Sequence, residues 1–494
     1  MSALPGSARA ARASASLSAV LLSVPHVHRP SRSAIERVKI ELERRLGASR
    51  VLTSPESCAA YRSDDSDVSG PLPDAVVIAE SPADVAATLA VADECDVPVT
   101  PRAGGTGRTG GAVPVAGGIV LATHALARIK EIDRANLVAI VEPGVITGDL
   151  HAAVEAEGLF YAPDPNSLDS CRIGGNLAEN AGGPRAFRYG VTRDWVLGLQ
   201  ACLVGGRVIR TGKRTVKGVT GYDVTALLIG SEGTLAVFTE ATLRLAPKPP
   251  LVGTELALFS DMRAAANAVG SVVSAGIVPR CMEMLDSPTL DAVRNAGVPI
   301  DERAGAMLLV EVDGESSETL MLRVGEVLTS CAGCIDVVVA QDGAQRDRLW
   351  AARRMLSKAT RRLARHKLSE DIVVPRTRMA DLLARADEIG DSTGVRHLAY
   401  GHAGDGNLHV NFLWNDDSER PAVDRAIELL MRATVELGGT LSGEHGIGVS
   451  KAPYLGLEQS VELIALQRDI KRTFDPKDLL NPGKIFPAEG HRAC

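Results

Sequence analysis

The sequence predicts an α+β protein built from two principal domains. Its 494 residues are more than a single hydrophobic core usually organises. Residues 36–247 combine short apolar strands and helices with three glycine-rich clusters. A proline-rich stretch at 247–250 follows, and we place a domain boundary there. Over residues 248–470 longer strands and helices predict an antiparallel sheet covered by helices.

The first 35 residues have a composition of their own. They contain no acidic residue and hold Arg9, Arg12, Arg29 and Arg32 among many alanines and serines. That composition is typical of a mitochondrial transit peptide. A disordered bacterial leader, or a start placed too far upstream, fits equally well, because alanine and arginine are abundant throughout the chain.

The overall composition disfavours nucleic-acid-binding and membrane-spanning proteins. The net charge is −7 and aromatic residues make up 3%, so neither a basic footprint nor stacking platforms are expected. No run of eighteen apolar residues occurs, so no transmembrane helix is predicted. Of the eight cysteines, only Cys331 and Cys334 form a C-x-x-C pair, which we interpret as a plain turn in a protein of a reducing compartment.

The first elements follow one another as short patterns. Residues 32–47 have the apolar spacing of an amphipathic helix that ends at a glycine. The predicted strand "PDAVVIAE" is followed by a helix for which Ser81 is the N-cap and Pro82 the first residue. The predicted strand "VPVTP" then leads into a glycine-rich loop.

This loop, from Pro101 to Gly118, contains the spacing G-x-G-x-x-G. A Rossmann dinucleotide site needs a helix directly after the motif, so that the helix N-terminus faces the pyrophosphate. Here more glycines, Pro114 and the strand "IVLAT" follow, and such a sequence does not form a helix. We therefore predict a loop between two strands whose free backbone N–H groups suit phosphate oxygens.

Further elements follow in both domains. "NLVAIVEPGVITGDLHAAVEAEGLFYAPDP" predicts a strand, a tight turn, a helix and a loop, and it leads to the second glycine cluster, "CRIGGNLAENAGGPRAFRYG". "VLGLQACLVGGRVIRTG" predicts a hairpin that turns at Gly205–Gly206. In the second domain, "GTELALFS", "AMLLVEVDG" and "IDVVVAQD" are predicted strands and "MRAAANAVGSVVSAG" is a predicted helix.

Histidines concentrate in two stretches, "YGHAGDGNLHVNF" (400–412) and "SGEHGIG" (442–448). The glycines at 404 and 406 exclude one continuous helix, so we expect a turn that brings two strand ends together. His402, His409 and Glu444 would form a common ligand set for Zn²⁺ or Mn²⁺ with open positions. The alternative is that these polar loop histidines bond to one another.

A basic helix is predicted over residues 347–367, "DRLWAARRMLSKATRRLARHK". Most of its arginines are expected on a solvated face. One arginine that points inward would bind a carboxylate in a bidentate ion pair, through two parallel hydrogen bonds.

Seven motifs together resemble one family over residues 50–487. The chain is similar to the flavin-dependent D-2-hydroxy acid dehydrogenases of the vanillyl-alcohol-oxidase type, which include the glycolate oxidase flavin subunit and cytochrome-type D-lactate dehydrogenase. The motifs are "PRAGGTGRTGG", "IGGNLAENAGG", "YGVTRDWVLG", "GSEGTLAVFTEATLRL", "GHAGDGNLH", "SGEHGIG" and "LNPGK".

The resemblance implies an FAD cofactor. Residues 36–247 would form a PCMH-type FAD-binding domain, residues 248–470 an FAD-linked-oxidase C-terminal domain, and residues 471–494 a segment that returns to the first domain. Members with covalent flavin commonly carry a histidine in the glycine loop, and none occurs between residues 101 and 118, so non-covalent FAD is implied. The implied FAD-binding residues are Arg102, Gly104, Gly105, Thr106, Gly107, Gly110, Gly111, Pro163, Asp164, Gly174, Gly175, Asn176, Asn180, Gly182, Gly183, Tyr189, Gly190, Glu232, Gly233 and Asn481.

The resemblance also assigns the chemistry. It maps the divalent metal ligands onto the two histidines and the glutamate named above, and the general base onto His445. Arg353 matches the residue that pairs with the substrate carboxylate, and Asn411 matches a substrate contact. Ser369 and Glu370 stand where the 2-hydroxyglutarate branch has a lysine, which favours small monocarboxylates.

The implied activity is oxidation of a small D-2-hydroxy acid, with glycolate or D-lactate favoured, to the 2-oxo acid. The hydride would pass to FAD N5, the metal would hold the hydroxyl, and His445, with an ordinary pKa of about 6.5, would accept the proton.

The implied electron acceptor is a quinone, a cytochrome, an electron-transfer flavoprotein or an iron–sulfur companion subunit. The expected location is the bacterial cytoplasm or the inner-membrane face, with the mitochondrial matrix as the alternative.

Three other functions stay open. The first is a D-2-hydroxyglutarate dehydrogenase. The second is a metal-dependent hydrolase in which His402, His409 and Glu444 activate water, although it leaves the three glycine clusters unexplained. The third is a non-catalytic flavoprotein, which has no need of His445 beside a metal.

Overall fold

The structure is a computed structural model, which describes residues 29–487. This part of the chain forms the following α-helices: α1 (Arg32–Leu46), α2 (Pro55–Cys58), α3 (Pro82–Cys95), α4 (Thr147–Ala156), α5 (Ile173–Glu179), α6 (Ala186–Tyr189), α7 (Val224–Leu228), α8 (Met262–Ser274), α9 (Ser287–Asn295), α10 (Ser317–Ser330), α11 (Gly343–Thr360), α12 (Met379–Thr393), α13 (Arg420–Glu436), α14 (Leu455–Glu458) and α15 (Val461–Phe474).

The strands of the first half are β1 (Val51–Leu52), β2 (Ala75–Ile78), β3 (Val99–Arg102), β4 (Ile119–Ala122), β5 (Ile129–Asp133), β6 (Val138–Val141), β7 (Leu159–Phe160), β8 (Val196–Cys202), β9 (Val208–Gly212), β10 (Val237–Arg244) and β11 (Ala246–Pro247). Those of the second half are β12 (Val252–Phe259), β13 (Cys281–Asp286), β14 (Ala306–Asp313), β15 (Cys334–Val339), β16 (His366–Val373), β17 (Arg396–His402) and β18 (Asn407–Trp414).

Two sheets organise the first half of the chain. One has the strand order β1-β2-β4-β3, in which β2, β4 and β3 run parallel. The other has the order β5-β6-β10-β8-β9 and is antiparallel. Helices α1 and α3 cover the first sheet and share with it a core that contains Val38, Leu42, Leu89 and Leu121.

One seven-stranded antiparallel sheet organises the second half, in the order β15-β12-β14-β13-β17-β18-β16. Helices α8, α10, α12 and α13 supply apolar side chains to the larger core on one face. Helices α9 and α11 pack in a separate core that contains Leu290, Leu356 and Leu398. The predicted sheet with covering helices is therefore confirmed, and it places residues 350–356 of α11 and the β17–β18 hairpin around one cavity.

The predictions for single helix starts, turns and loops are confirmed where residues close in sequence determine the structure. Helix α1 begins after an N-cap at Ser31, within the predicted 1–35 leader, whose residues 1–28 lie outside the described residues. Ser81 forms a capping box with Asp84, and Pro82 is the first residue of α3. The hairpin at Gly205–Gly206 joins β8 to β9. No helix follows the glycine loop, which ends at β4, parallel to β3.

The predicted helix over residues 347–367 is wrong at its C-terminal end. Helix α11 ends at Thr360, and from His366 the chain forms β16, which pairs with β18 from His366–Trp414 to Val373–Asn407. This long-range pairing overrides the helical propensity of the arginine-rich segment.

Other predictions fall near element boundaries. Cys331 follows α10 and Cys334 begins β15, so the pair lies at the short connection between these two elements. The domain division at 247–250 stays a prediction: β11 still pairs with β7, and β12 begins at Val252. None of the described helices is both long enough and apolar enough to cross a lipid bilayer.

Candidate functional site

The β17–β18 hairpin carries the two candidate histidine ligands. His402 ends β17 opposite Asn407, and His409 lies in β18 opposite Tyr400. Because side chains alternate along a strand, these four side chains share one face of the sheet. The two imidazole centroids are 5.4 Å apart. The predicted turn that joins two strand ends is thus confirmed, and it brings both rings together.

Glu444 reaches these histidines from a separate turn. Its Oε1 lies 3.7 Å from Nε2 of His402 and 3.6 Å from Nε2 of His409. Both Nε2 atoms are buried and have no hydrogen-bond partner within the described part of the chain. Burial opposes ionisation of Glu444, but the three neighbouring histidines lower its pKa to about 2. The three groups form a cluster whose ligand atoms all lie within 4.8 Å of one another.

A carboxylate that the sequence analysis did not single out supports this cluster. Glu283, fully buried in β13, lies 2.6 Å from Nδ1 of His402 and accepts a 2.5 Å hydrogen bond from Nε of Arg353. Burial would lower the pKa of His402, but the Glu283 and Glu444 carboxylates raise it well above its usual value. The available signal was an acid with apolar neighbours on both sides in the strand "CMEMLD".

A second missed carboxylate, Asp371 of β16, holds the turn that carries Glu444. Its Oδ2 accepts backbone hydrogen bonds of 2.9, 2.8 and 2.9 Å from Gly443, Glu444 and His445, and one of 3.1 Å from the hydroxyl of Ser442. Asp371 is fully buried and lies opposite His409 in the sheet. In the sequence, Asp371 is the second of two adjacent acids in "SEDIVVP". Nothing in this stretch indicates that it binds a distant turn.

His445 lies beside this cluster but is less enclosed. Its ring stacks on that of His409 with the centroids 5.4 Å apart and the planes at 18°. Its Nε2 is 3.8 Å from Glu444 Oε1, and its side chain is 16% exposed, against 3% and 4% for His402 and His409. Burial lowers the pKa of His445, which keeps the ring neutral and able to accept a proton.

Arg353 projects from α11 into the same region. It is buried, and besides its bond to Glu283 its Nη2 donates a 3.4 Å hydrogen bond to Asn166 of the first half of the chain. Its Cζ lies 5.8 Å from the centroid of the Tyr400 ring. Arg353 therefore connects the cluster of His402, His409 and Glu444, through Glu283, to the boundary between the two halves.

Asn411 occupies a different position from the one expected of a substrate contact. It is fully buried, donates a 2.8 Å hydrogen bond to the carbonyl of His409 and accepts one of 3.4 Å from the Tyr400 hydroxyl. It is absent from the lining of the adjacent cavity, whereas Tyr400 and His409 are part of it. The structure thus places Asn411 behind the residues that face the cavity.

That cavity has a volume of about 940 Å³ and lies between the two halves of the chain. Arg353, His409, Glu444 and His445 line one part of it. The rest is lined in part by eleven of the predicted FAD-binding residues: Arg102, Gly104, Gly105, Thr106, Gly107, Gly111, Gly174, Gly175, Asn176, Glu232 and Gly233.

The glycine loop presents a row of unused donors. From Gly104 to Gly111 the backbone N–H groups form no hydrogen bond with any described residue. Gly105 and Gly110 have φ angles of +70° and +82°, which a residue with a Cβ rarely adopts. Successive free N–H groups of this kind form a concave site for anionic oxygens, as the sequence predicted.

The other nine predicted FAD-binding residues are not part of the cavity lining: Gly110, Pro163, Asp164, Asn180, Gly182, Gly183, Tyr189, Gly190 and Asn481. Asn481 supports the lining, because its Nδ2 donates to the carbonyls of Gly111 and Glu232. Tyr189 instead donates a 2.7 Å hydrogen bond to Asp313 in the second half.

Comparisons with known proteins match both halves of the chain. Residues 73–212 match the FAD binding domain, and residues 248–485 match the C-terminal domain of FAD linked oxidases. The chain is 40% identical over 452 residues to glycolate oxidase subunit GlcD of Bacillus subtilis (strain 168), covering 90% of this chain and 94% of that protein. It is 33% identical over 460 residues to D-lactate dehydrogenase of Anaerostipes hadrus, covering 90% and 96%.

Two solved structures share the fold. P-cresol methylhydroxylase with substrate bound superposes with a TM-score of 0.78 at 17% identity and covers 93% of this chain and 98% of its own. The 4-ethylphenol oxidase from Gulosibacter chungangensis superposes with a TM-score of 0.77 at 20% identity and covers 95% and 100%.

Fold, cavity and comparisons define an FAD-dependent oxidoreductase. The chain belongs to the FAD-linked oxidase family, with a PCMH-type FAD-binding domain and an FAD-oxidase C-terminal domain. The predicted α+β fold class, the family resemblance and the FAD-binding domain are thereby confirmed.

Proposed function

We propose that the protein oxidises a small D-2-hydroxy acid to the 2-oxo acid, with glycolate and D-lactate as the first candidates. One observation carries this proposal: the His402–His409–Glu444 cluster, the neutral His445 and Arg353 converge on the cavity that the glycine loop also lines. The relatives named glycolate oxidase and D-lactate dehydrogenase support the same substrate class.

Non-covalent FAD fits the residues present. The unpaired N–H groups of residues 104–111 would hold its pyrophosphate, and the backbone around Gly174–Gly175 would lie along its length. An added Cβ at Gly175 would meet no atom within 4 Å, so this glycine opens onto free space. Bound FAD supplies the acceptor for the hydride that leaves the substrate carbon.

A divalent metal, Zn²⁺ or Mn²⁺, fits the donor set of His402, His409 and Glu444. The two unpartnered Nε2 atoms and one ionised carboxylate oxygen converge without bonding one another, as ligands of such a cation do. A cation there would favour the alkoxide form of the substrate hydroxyl.

The chain's own side chains account for the remaining steps. We assign binding of the substrate carboxylate to the guanidinium of Arg353, because this side chain lines the cavity, Glu283 binds its Nε, and the only other hydrogen bond described for it is the long one of 3.4 Å from Nη2 to Asn166. His445 takes the hydroxyl proton. Asp371 fixes the turn that carries His445, and we assign Asn411 the support of Tyr400 and His409 rather than direct substrate contact.

Among the alternatives, the hydrolase is disfavoured, because it gives no role to the unpaired donors of the glycine loop. D-2-hydroxyglutarate remains a second candidate substrate. The electron acceptor, the bacterial cytoplasmic location and the alternative matrix location stay predictions.

The proposal is tested by anaerobic mixing of the purified flavoprotein with glycolate, D-lactate and L-lactate. The D-2-hydroxy acids should bleach the flavin absorbance in a single turnover, and L-lactate should do so far more slowly. A protein that binds FAD but is reduced by none of these acids, nor by D-malate or D-2-hydroxyglutarate, contradicts the proposal.

The metal assignment has its own test. His409→Ala should lower the bound Zn or Mn measured by elemental analysis, and flavin bleaching should slow with it while FAD stays bound. His397→Ala, a histidine that pairs with Asp387 on the surface, serves as the matched control. Active wild-type protein without stoichiometric metal would rule out the ligand assignment.

A further inference from the structure

Glu179 brings a carboxyl group to the glycine loop. It is the last residue of α5, and it lines the cavity between the two halves of the chain. A Cβ added at Gly111 would lie 3.0 Å from Glu179 Oε1, and one added at Gly107 would lie 3.9 Å from the same oxygen. An acid therefore lies directly against the loop whose free N–H groups suit anionic oxygens.

This carboxyl group has no partner of its own. Its Oε2 atom is buried, and neither oxygen forms a hydrogen bond or an ion pair with any residue in the described part of the chain. The backbone carbonyls at the C-terminal end of a helix also disfavour a negative charge. An unpaired carboxylate at this position would be costly, whereas the protonated acid is neutral and offers a hydrogen-bond donor.

A second carboxyl group, that of Glu232, lies beside it. A Cβ added at Gly446 would lie 3.0 Å from Glu232 Oε1 and would collide with Glu179 Oε2, so the two groups converge on this glycine. Glu232 accepts hydrogen bonds of 2.7 Å from the backbone N–H groups of Ile447 and Gly448, which favour its ionised form. Two carboxyl groups this close do not both ionise readily, and the proton belongs on the one without donors, Glu179.

The charged groups that face the pair agree with this assignment. Burial raises the pKa of Glu179 well above its usual value, and the carboxylates of Glu232 and Asp64 raise it further. Burial also raises the pKa of Glu232, but its two backbone donors and the ammonium groups of Lys484 and Lys451 oppose this. No cation of the described chain lies within 4.0 Å of the Glu179 carboxyl group.

We propose that Glu179 is the neutral acid that donates a hydrogen bond to a phosphate oxygen of FAD, so that FAD binding is linked to the uptake of one proton at this residue. An ionised Glu179 would repel the pyrophosphate, and the protonated form instead adds a side-chain donor to the N–H groups of the loop. The inference rests on the proposed placement of FAD along the glycine loop, and it involves no bond change in FAD or in the substrate.

The test is the Kd of FAD between pH 6 and pH 9, measured from the fluorescence of free flavin after dilution of the purified holoenzyme. Above the pKa that Glu179 has in the FAD-free protein, the Kd should rise about tenfold for each pH unit, because binding must then take up a proton. The wild type should bind FAD about 10- to 100-fold more weakly at pH 9 than at pH 6.

Two variants separate the charge of Glu179 from its hydrogen bond. Glu179→Gln keeps a donor and cannot ionise, so it should match the wild type at pH 6 and bind FAD about 10- to 100-fold more tightly than the wild type at pH 9. Glu179→Leu has neither charge nor donor, so it should bind FAD about 10-fold more weakly than Glu179→Gln at every pH. If Glu179→Leu does not fold, Glu179→Ala gives the same comparison.

Two controls accompany these variants. Glu56→Gln, an exposed change on α2, should keep the wild-type profile. Burial lowers the pKa of Lys484 to about 7, so the charge of this lysine changes within the same pH range. That change is common to the wild type and the variants, and only the difference between their profiles is assigned to Glu179.

The outcomes separate this inference from the proposed function. If the wild-type Kd is the same at pH 6 and pH 9, or if Glu179→Gln keeps the wild-type slope, Glu179 takes up no proton and the inference is wrong. If Glu179→Leu binds FAD as tightly as Glu179→Gln, the hydrogen bond is absent and the inference is again wrong. A folded wild type that binds no FAD at any pH contradicts the proposed function itself.

Discussion

One oxygen atom of Glu444 faces three imidazole rings. Its Oε1 lies 3.7, 3.6 and 3.8 Å from the Nε2 atoms of His402, His409 and His445. The rings of His402 and His409 are almost completely enclosed. Glu283 lies 2.6 Å from Nδ1 of His402, the ring nitrogen that does not face Glu444. His445 has more room and faces the cavity. The difference in enclosure is our reason for assigning the first two as ligands and His445 as the proton acceptor.

This assignment predicts the behaviour of His445→Ala. The change removes the proton acceptor, whereas the ligand atoms, the glycine loop and Arg353 are untouched. General-base loss typically costs about 10²–10⁴ in rate, so flavin bleaching by D-lactate should slow by about that factor. Single-turnover absorbance under anaerobic conditions measures this step directly.

FAD content, bound metal and substrate affinity are the internal controls for this variant, and they should stay close to wild type. The surface variant His397→Ala controls for the loss of an imidazole. If His445→Ala bleaches at the wild-type rate, the base lies elsewhere and His445 only supports Glu444.

At the scale of elements, β16 determines where the 442–445 turn lies. Asp371 on this strand gathers three consecutive backbone N–H groups and one hydroxyl on a single oxygen, and its other oxygen accepts a 2.6 Å hydrogen bond from Asn407. Its pKa is held well below the usual value: burial opposes ionisation, but His445, Lys451 and His409 outweigh it. A strand residue therefore positions both the proposed ligand Glu444 and the proposed base His445.

Asp371→Asn should misplace this turn without unfolding the sheet. Outer partners of metal ligands typically contribute 10- to 100-fold to affinity or activity, so metal content and kcat should both fall by about that order while FAD remains bound. Elemental analysis and the separate values of kcat and KM measure the two effects. Asp391→Asn, an exposed change on α12, is the control. Unchanged metal content together with unchanged kcat would contradict the positioning role.

The sequence was sufficient to predict those elements that residues close to one another in the chain determine. Ser81 and Pro82 begin α3, and the glycine–proline content after residue 105 prevents a Rossmann helix. The site was predictable only in part. Glu283 and Asp371 act through partners 119 and 73 residues away, His402 and Glu444, and no local pattern reports such contacts. The end of α11 was missed for the same reason, because pairing with β18 decides it.

At the scale of the whole molecule, the cavity depends on how the two halves of the chain are joined. Asp313 at the end of β14 accepts a 2.7 Å hydrogen bond from Tyr189 and pairs at 3.0 Å with Arg188, both from the first half. It also pairs at 3.0 Å with Arg280 of its own half. Arg353 and Asn166 add a second link at the cavity itself. These contacts hold the glycine loop and the histidine cluster around one space.

The stability of the second half should also respond to pH, through Glu255 of β12. This side chain is buried, and neither carboxylate oxygen has a hydrogen-bond partner among the described residues. In the sheet it lies opposite Val310 and Val339, and an added Cβ at Gly325 of α10 would lie 3.5 Å from its carboxylate. Burial in these apolar surroundings raises its pKa to about 7.

The raised pKa fixes the sign of the effect. Between pH of about 4.5 and 7 the unfolded chain has released this proton and the folded chain has not, so the free energy of unfolding falls as the pH rises. Glu255→Gln removes the titrating group, so the variant should gain about 1–3 kcal/mol over the wild type at pH 8 and much less at pH 5. Urea unfolding of the FAD-saturated protein at the two pH values measures the difference. Glu315→Gln, an exposed change in the same half, should show no such gain. An advantage of Glu255→Gln that is equal at both pH values would mean that Glu255 is ionised in the fold.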